Sequence, residues 1–137
     1  PEYIPQICER MERGKWDIVL TRRDFSKYPL YKRAGNRFLS AVARLLSGHP
    51  YRDVESGFRF MRAGVLPVLL DYFTGWRYSC AQEIAILTAL SGFRVDNAFQ
   101  VKIAYYRPGT TIMDGFIVLL MSLWSWLRVR CGWKVRR

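Results

Sequence analysis

Near its start the chain passes from an amphipathic stretch straight into a short apolar run, and that juncture restricts the fold more than any other feature. Ile4, Ile7, Cys8 and Met11 recur at helical spacing, so residues 5–13 are expected to form a helix that Gly14 ends. Trp16-Asp17-Ile18-Val19-Leu20 follows at once and reads as a buried strand. A helix delivered directly into a buried strand is the grammar of an α/β protein, in which helices cover the faces of a sheet. The 137 residues allow one such domain or a piece of one. The opening, Pro1-Glu2-Tyr3-Ile4-Pro5, has no initiator methionine and is expected to continue from something longer.

The remaining punctuation fits the same class. Residues 21–31 are polar and interrupted by Pro29, hence a loop. Residues 31–46 are expected to be a helix with Ala34, Phe38, Leu39, Val42 and Leu46 on one side. Lys32, Arg33, Asn36, Arg37 and Arg44 then lie on the other. Residues 53–61 read as a turn into a short strand and residues 65–73 as a helix. Residues 80–90 read as a helix stopped by Gly92, and residues 93–106 as strand, with Val95, Val101, Ile103 and Tyr105. The tail differs. Residues 116–127 are nearly all apolar, short of the roughly 20 a membrane span needs. Arg128, Arg130, Lys134, Arg136 and Arg137 follow, with three tryptophans at 124, 126 and 133. That combination suits a helix lying in a lipid–water interface; the plain alternative is a core helix with a solvated basic end.

Charge narrows the partners. Lys and Arg number 22 against 11 Asp and Glu, a formal net charge of +11, which self-repels unless an anion is nearby. Nucleic acid, an anionic membrane and a phosphorylated substrate all satisfy it. One histidine (His49) makes a His-rich metal site or a Ser–His catalytic scheme improbable. Three widely spaced cysteines match no zinc or disulfide pattern and suggest a reducing compartment.

Phosphate recognition calls for fixed cations, arginine above all, because its planar fork binds two oxygens and keeps its proton. Arg22-Arg23 follows directly on the expected buried strand, where α/β proteins build sites. Lys32, Arg33 and Arg37 come next, and Arg107 ends the last expected strand. Taken singly, each is more often a solvated surface charge. Asp53-Val54-Glu55-Ser56-Gly57-Phe58-Arg59 carries a Ser-Gly pair that lets backbone approach a ligand, with Asp53 able to orient the turn; it also reads as a polar turn before a strand. Glu83 sits on an otherwise apolar helix, either buried and functional or facing solvent.

In this order the pieces resemble the second half of family 2 glycosyltransferases that use polyprenyl phosphates, of the dolichyl-phosphate mannose synthase and undecaprenyl-phosphate sugar transferase type. The 53–59 segment matches that family's D-x-x-S-G-F-R signature. Asp17-Ile18-Val19-Leu20-Thr21-Arg22-Arg23 is similar to its strand ending in a phosphate-binding arginine. Glu83-Ile84, Gly92-Phe93-Arg94-Val95 and Arg107-Pro108-Gly109-Thr110-Thr111 follow in family order. The resemblance implies phosphate binding by Arg23, Lys32, Asn36 and Arg107, and a donor- or acceptor-site loop from Asp53, Ser56, Gly57 and Arg59, with Glu83. Asn36 stands where relatives often have Ser, and Ile112 where they often have Lys.

The fold so implied is the C-terminal half of a GT-A nucleotide-diphospho-sugar transferase over residues 1–111, without its nucleotide-binding half. Residues 112–137 add an amphipathic interfacial helix and basic tail. The implied partners are a nucleotide sugar donor, a polyprenyl phosphate and the cytoplasmic face of a membrane, with no nucleic acid. The implied cofactor is a divalent metal, Mg2+ or Mn2+. No D-x-D occurs in the chain, so no metal ligand is assigned within it, and the chain alone is expected to be inactive. The rival is a non-catalytic basic module for anionic membrane or RNA, in which arginines beside aromatics stack on bases; it leaves the apolar tail unexplained.

Overall fold

A computed structural model describes residues 2–26, 28–102 and 111–135. The chain runs α1 (Ile4–Gly14), β1 (Ile18–Leu20), β2 (Arg22–Arg23), α2 (Leu30–Ser47) and β3 (Arg59–Met61). It continues with α3 (Leu66–Tyr72), α4 (Cys80–Leu90), β4 (Val95–Asp96), β5 (Gln100–Val101) and α5 (Ile112–Arg130).

The strand expected at the start is central. β1 pairs antiparallel with β3, Val19 opposite Phe60, and parallel with β4, Val19 opposite Asp96. Because strand side chains alternate, β1 feeds two cores. Ile18 and Leu20 join Ala43, Tyr51, Val54, Leu69 and α4 residues on one face, while Val19 meets Ile7 and Met11 of α1 on the other. β2 leaves this sheet and pairs in parallel with β5, Arg23 opposite Val101.

Three expectations change. The left-handed residue after α1 is Lys15 (φ 50°), not Gly14. Gly14 is needed for space instead, since a Cβ there would lie 2.0 Å from the Trp16 indole nitrogen. The strand expected over residues 93–106 breaks after Asp96, and its described parts belong to two sheets. Asn97 is the cause, for its side chain takes over the hydrogen bonding a ladder would have made; residues 103–106 lie outside the described part. Finally, the buried stripe of α2 is rotated from the apolar face expected: Asn36, Ser40 and Ala43 are buried, Leu39, Val42 and Leu46 are half-buried, and Ala34 and Phe38 are exposed. Small side chains let α2 approach α4, and Gln82 of α4 donates to the Leu39 carbonyl at 3.0 Å.

α4 is buried from Ala81 to Thr88, as a helix apolar nearly all round must be. α5 packs along it and along α2. Thr111 and Asp114 form a reciprocal capping box at its start. The 19-residue helix therefore exceeds the apolar run and is long and apolar enough to cross a membrane by length and composition. Its polarity is inverted. Val118, Ser122, Ser125 and Arg128 face inward, and Met113, Phe116, Leu120, Leu123, Trp124 and Leu127 face outward. Beyond it, the Val135 amide donates to the Asp71 carbonyl at 2.7 Å and Lys134 pairs with the Asp71 carboxylate, returning the tail to α3.

Candidate functional site

The end of β1 and the 53–59 turn are locked together by buried polar groups. Asn97 Nδ2 donates to the carbonyls of Leu20 (2.6 Å) and Asp53 (3.0 Å), and its Oδ1 accepts from the amides of Arg52 (2.7 Å) and Asp53 (3.1 Å). Thr21 donates to the Phe58 carbonyl at 2.7 Å and lies 2.8 Å from the Ser56 hydroxyl. Asp53 Oδ1 accepts from the Glu55 amide at 3.1 Å, closing the turn on itself. Gly57 is exposed at the tip, and Arg59 Nε donates to the Ser56 carbonyl at 2.9 Å.

This frame aims Arg23. Its Nε and Nη2 each donate to Asp53 at 3.0 Å, its backbone amide donates to Asp53 Oδ2 at 2.8 Å, and Nη2 also reaches Asn36 Oδ1 at 2.8 Å. Phe25 and Tyr28 place their rings 5.0 and 5.9 Å from the guanidinium carbon. Asp53 is fully buried, so a two-pronged ion pair fixes the plane of the guanidinium while Nη1 has no hydrogen-bond partner among the described residues. Burial works against the Arg23 charge, but Asp53 outweighs it and holds the guanidinium above its ordinary value.

Arg23, Lys32, Asn36 and Glu55 line one cavity of about 520 Å³. Much of the rest of its lining is apolar and comes from α2 and the first turns of α5. Tyr31, Phe38, Ile112 and Phe116 line it while remaining 61, 56, 80 and 60% exposed, so it is an open groove. Cations and a hydrogen-bonding amide lining the same groove as exposed hydrocarbon suit an amphiphile with an anionic head.

The expected site residues thus separate. Arg23, Lys32 and Asn36 meet in the cavity, and Asp53 and Ser56 shape it from behind. Burial lowers the Arg59 guanidinium from its ordinary value, with Glu55 opposing. Arg107 lies outside the described residues. Glu83 does not join them. It is buried in the interior, accepting from Thr74, Gly75, Ser125 and, at 2.8 Å, Arg128 of α5, and so ties α4 to α5. Sequence reasoning missed Asn97, whose one signal was an amide interrupting a β-branched run, and Phe25 and Tyr28, hidden in a polar loop.

The divalent metal implied by the resemblance finds no donor set here. Among the described residues no three His, Cys, Asp or Glu cluster, and both Asp53 oxygens serve Arg23.

Comparisons with known proteins bear on the same stretch. The chain is 30% identical over 132 residues to a UDP-N-acetylglucosamine–dolichyl-phosphate N-acetylglucosaminyltransferase of Methanococcus voltae, covering 90% of this chain and 52% of that enzyme. It is 24% identical over 119 residues to an uncharacterised protein of Methanocaldococcus jannaschii, covering 84% of this chain and 49% of that protein. The chain thus spans about half the length of the curated relatives it matches. No family model and no solved structure matches it. What the chain resembles, over nearly all its length, is a glycosyltransferase of the dolichyl-phosphate sugar transferase type.

Proposed function

We propose that the chain is the C-terminal part of a membrane-associated glycosyltransferase that moves a sugar from a nucleotide to a polyprenyl phosphate, with the cavity receiving the lipid phosphate. The observation that carries this reading is that Arg23, Lys32 and Asn36 line one groove together with exposed apolar side chains.

A lipid phosphate oxygen is already an anionic nucleophile, so attack on the anomeric carbon needs little help from a base. As the new C–O bond forms, the bond to the nucleoside diphosphate breaks and the diphosphate carries away the electron pair. The protein's task is to position two anions and offset their charge. Arg23, held in plane by Asp53, is suited to the acceptor phosphate, with Lys32 and Asn36 beside it. Arg107 is assigned to the same anions by the resemblance alone. Acidic residues outside this chain would hold the Mg2+ or Mn2+, and UDP-N-acetylglucosamine is the first donor to try.

The outward face of α5 joins this reading. A contiguous apolar stripe on a basic chain is suited to the headgroup layer of the cytoplasmic leaflet, in a peripheral or monotopic manner. Its inward Ser125 and Arg128 are engaged by Glu83 of α4, which favours lying on the bilayer over crossing it.

The test is transfer of labelled sugar to dolichyl phosphate in vesicles by the whole protein. Transfer from UDP-N-acetylglucosamine, GDP-mannose or UDP-glucose is expected. The Arg23→Ala variant should fall about 100-fold, the scale of losing a charge-assisted phosphate contact. The 137-residue chain alone should transfer none. Failure with all three donors would refute the proposal.

A further inference from the structure

Glu55 lines the cavity beside Arg23, and the hydrogen bonds described above do not explain its side chain. Among the described residues its Oε1 is buried without a hydrogen-bond partner, while Gln82 of α4 acts on the same carboxyl and favours its ionised form. A buried carboxylate oxygen that lacks a donor is costly to keep ionised unless a proton or a cation is supplied. Charge tells the same story. Arg23, Arg59 and Asp53 act on Glu55, and Lys32 and Asp114 line the same cavity from α2 and α5. With both acids ionised, the two arginines are cancelled by Asp53 and Glu55. A proton on Glu55 leaves one positive charge in excess.

Resting on the reading of the cavity as the seat of a lipid phosphate, we infer that Glu55 is a positioning residue. It takes a proton from solvent as a phosphate monoester binds and thereby frees Arg23 charge for the ligand. An ionised carboxylate facing an incoming phosphate dianion is a like-charge pair, which either repels the ligand or binds a proton. Burial already pushes the Glu55 carboxyl up to about 7, with Arg23 pulling the other way, so the proton is available at neutral pH.

The experiment measures binding of the chain to phosphatidylcholine vesicles carrying dolichyl phosphate, against the same vesicles carrying dolichol, from pH 6 to 8. The lipid titrates too, so the informative quantity is the ratio of Glu55→Gln to wild-type affinity, in which the lipid's contribution cancels. A glutamine mimics the protonated acid. The two proteins should bind alike at pH 6, and Glu55→Gln should bind up to about tenfold more tightly at pH 8, where about a tenth of Glu55 is protonated in the free protein. A second measurement needs no variant: calorimetry at pH 8 in buffers of different ionisation heat should show proton uptake by the wild type, because the phosphate monoester, with its second pKa near ~6, is by then a dianion. A ratio that does not change with pH, or no uptake, overturns this inference while leaving the acceptor site standing. No preference for dolichyl phosphate over dolichol overturns both.

Discussion

Replacing Arg128 with methionine tests whether α5 is an integral part of the domain or an appendage. The guanidinium and Glu83 are 7 and 1% exposed and 2.8 Å apart, a pair shielded from solvent. Removing one member of such a pair costs about 3–5 kcal/mol, because the other is left buried and uncompensated. Here Glu83 keeps its bonds from Thr74, Gly75 and Ser125, which favours the lower end, about 3 kcal/mol. For a chain of this size that lowers the melting temperature by about 10 °C. Removing both charges, in Glu83→Gln with Arg128→Met, should cost well under the sum of the single changes, since no charge is then stranded. Urea and thermal denaturation followed by circular dichroism give the energies, and hydrogen exchange shows whether α5 amides open first. An Arg128→Met protein within 1 kcal/mol of wild type would refute the reasoning.

Asn97→Ala removes four hydrogen bonds from a buried junction and should cost about 2–4 kcal/mol by urea denaturation, with β4 and the 53–56 turn exchanging faster. Gly14→Ala gains about 1 kcal/mol of helix propensity but drives a Cβ into Trp16, a clash costing about 1–3 kcal/mol, so a net loss near 1 kcal/mol should appear in chemical denaturation. The folded state holds a Glu55 proton to about pH 7 that the unfolded chain loses near 4.5. Its contribution to stability is therefore whole below pH 4.5 and lost as pH rises to 7. Glu55→Gln should be more stable than wild type at pH 8 by on the order of 3 kcal/mol, an advantage that vanishes near pH 4 in a urea series.

The cavity joins residues far apart in the chain, and that explains how differently its parts could be read. The run at 18–20 announced a buried strand because apolar residues with no polar alternation can only be covered on both faces, and the structure covers them so. The bounds of α4 were equally legible, since an apolar stretch closed by glycine has few other solutions. The turn at 53–59 was visible as a turn, and Arg23 as a cation at a strand end.

What the sequence determined was local: periodicity, punctuation, and where fixed positive charge enters the chain. Tertiary structure decided which polar groups go inside, because a buried amide or carboxylate is tolerated only where distant residues complete its hydrogen bonds. Asn36 turns inward to meet Arg23, Asn97 breaks a strand to hold Leu20 and Asp53, and Glu83 is claimed by Arg128, 45 residues away. Periodicity carries no record of such partners. That is why it placed Asn36 on the polar side of α2 and Phe38 on the apolar one, and left Glu83 undecided between interior and solvent.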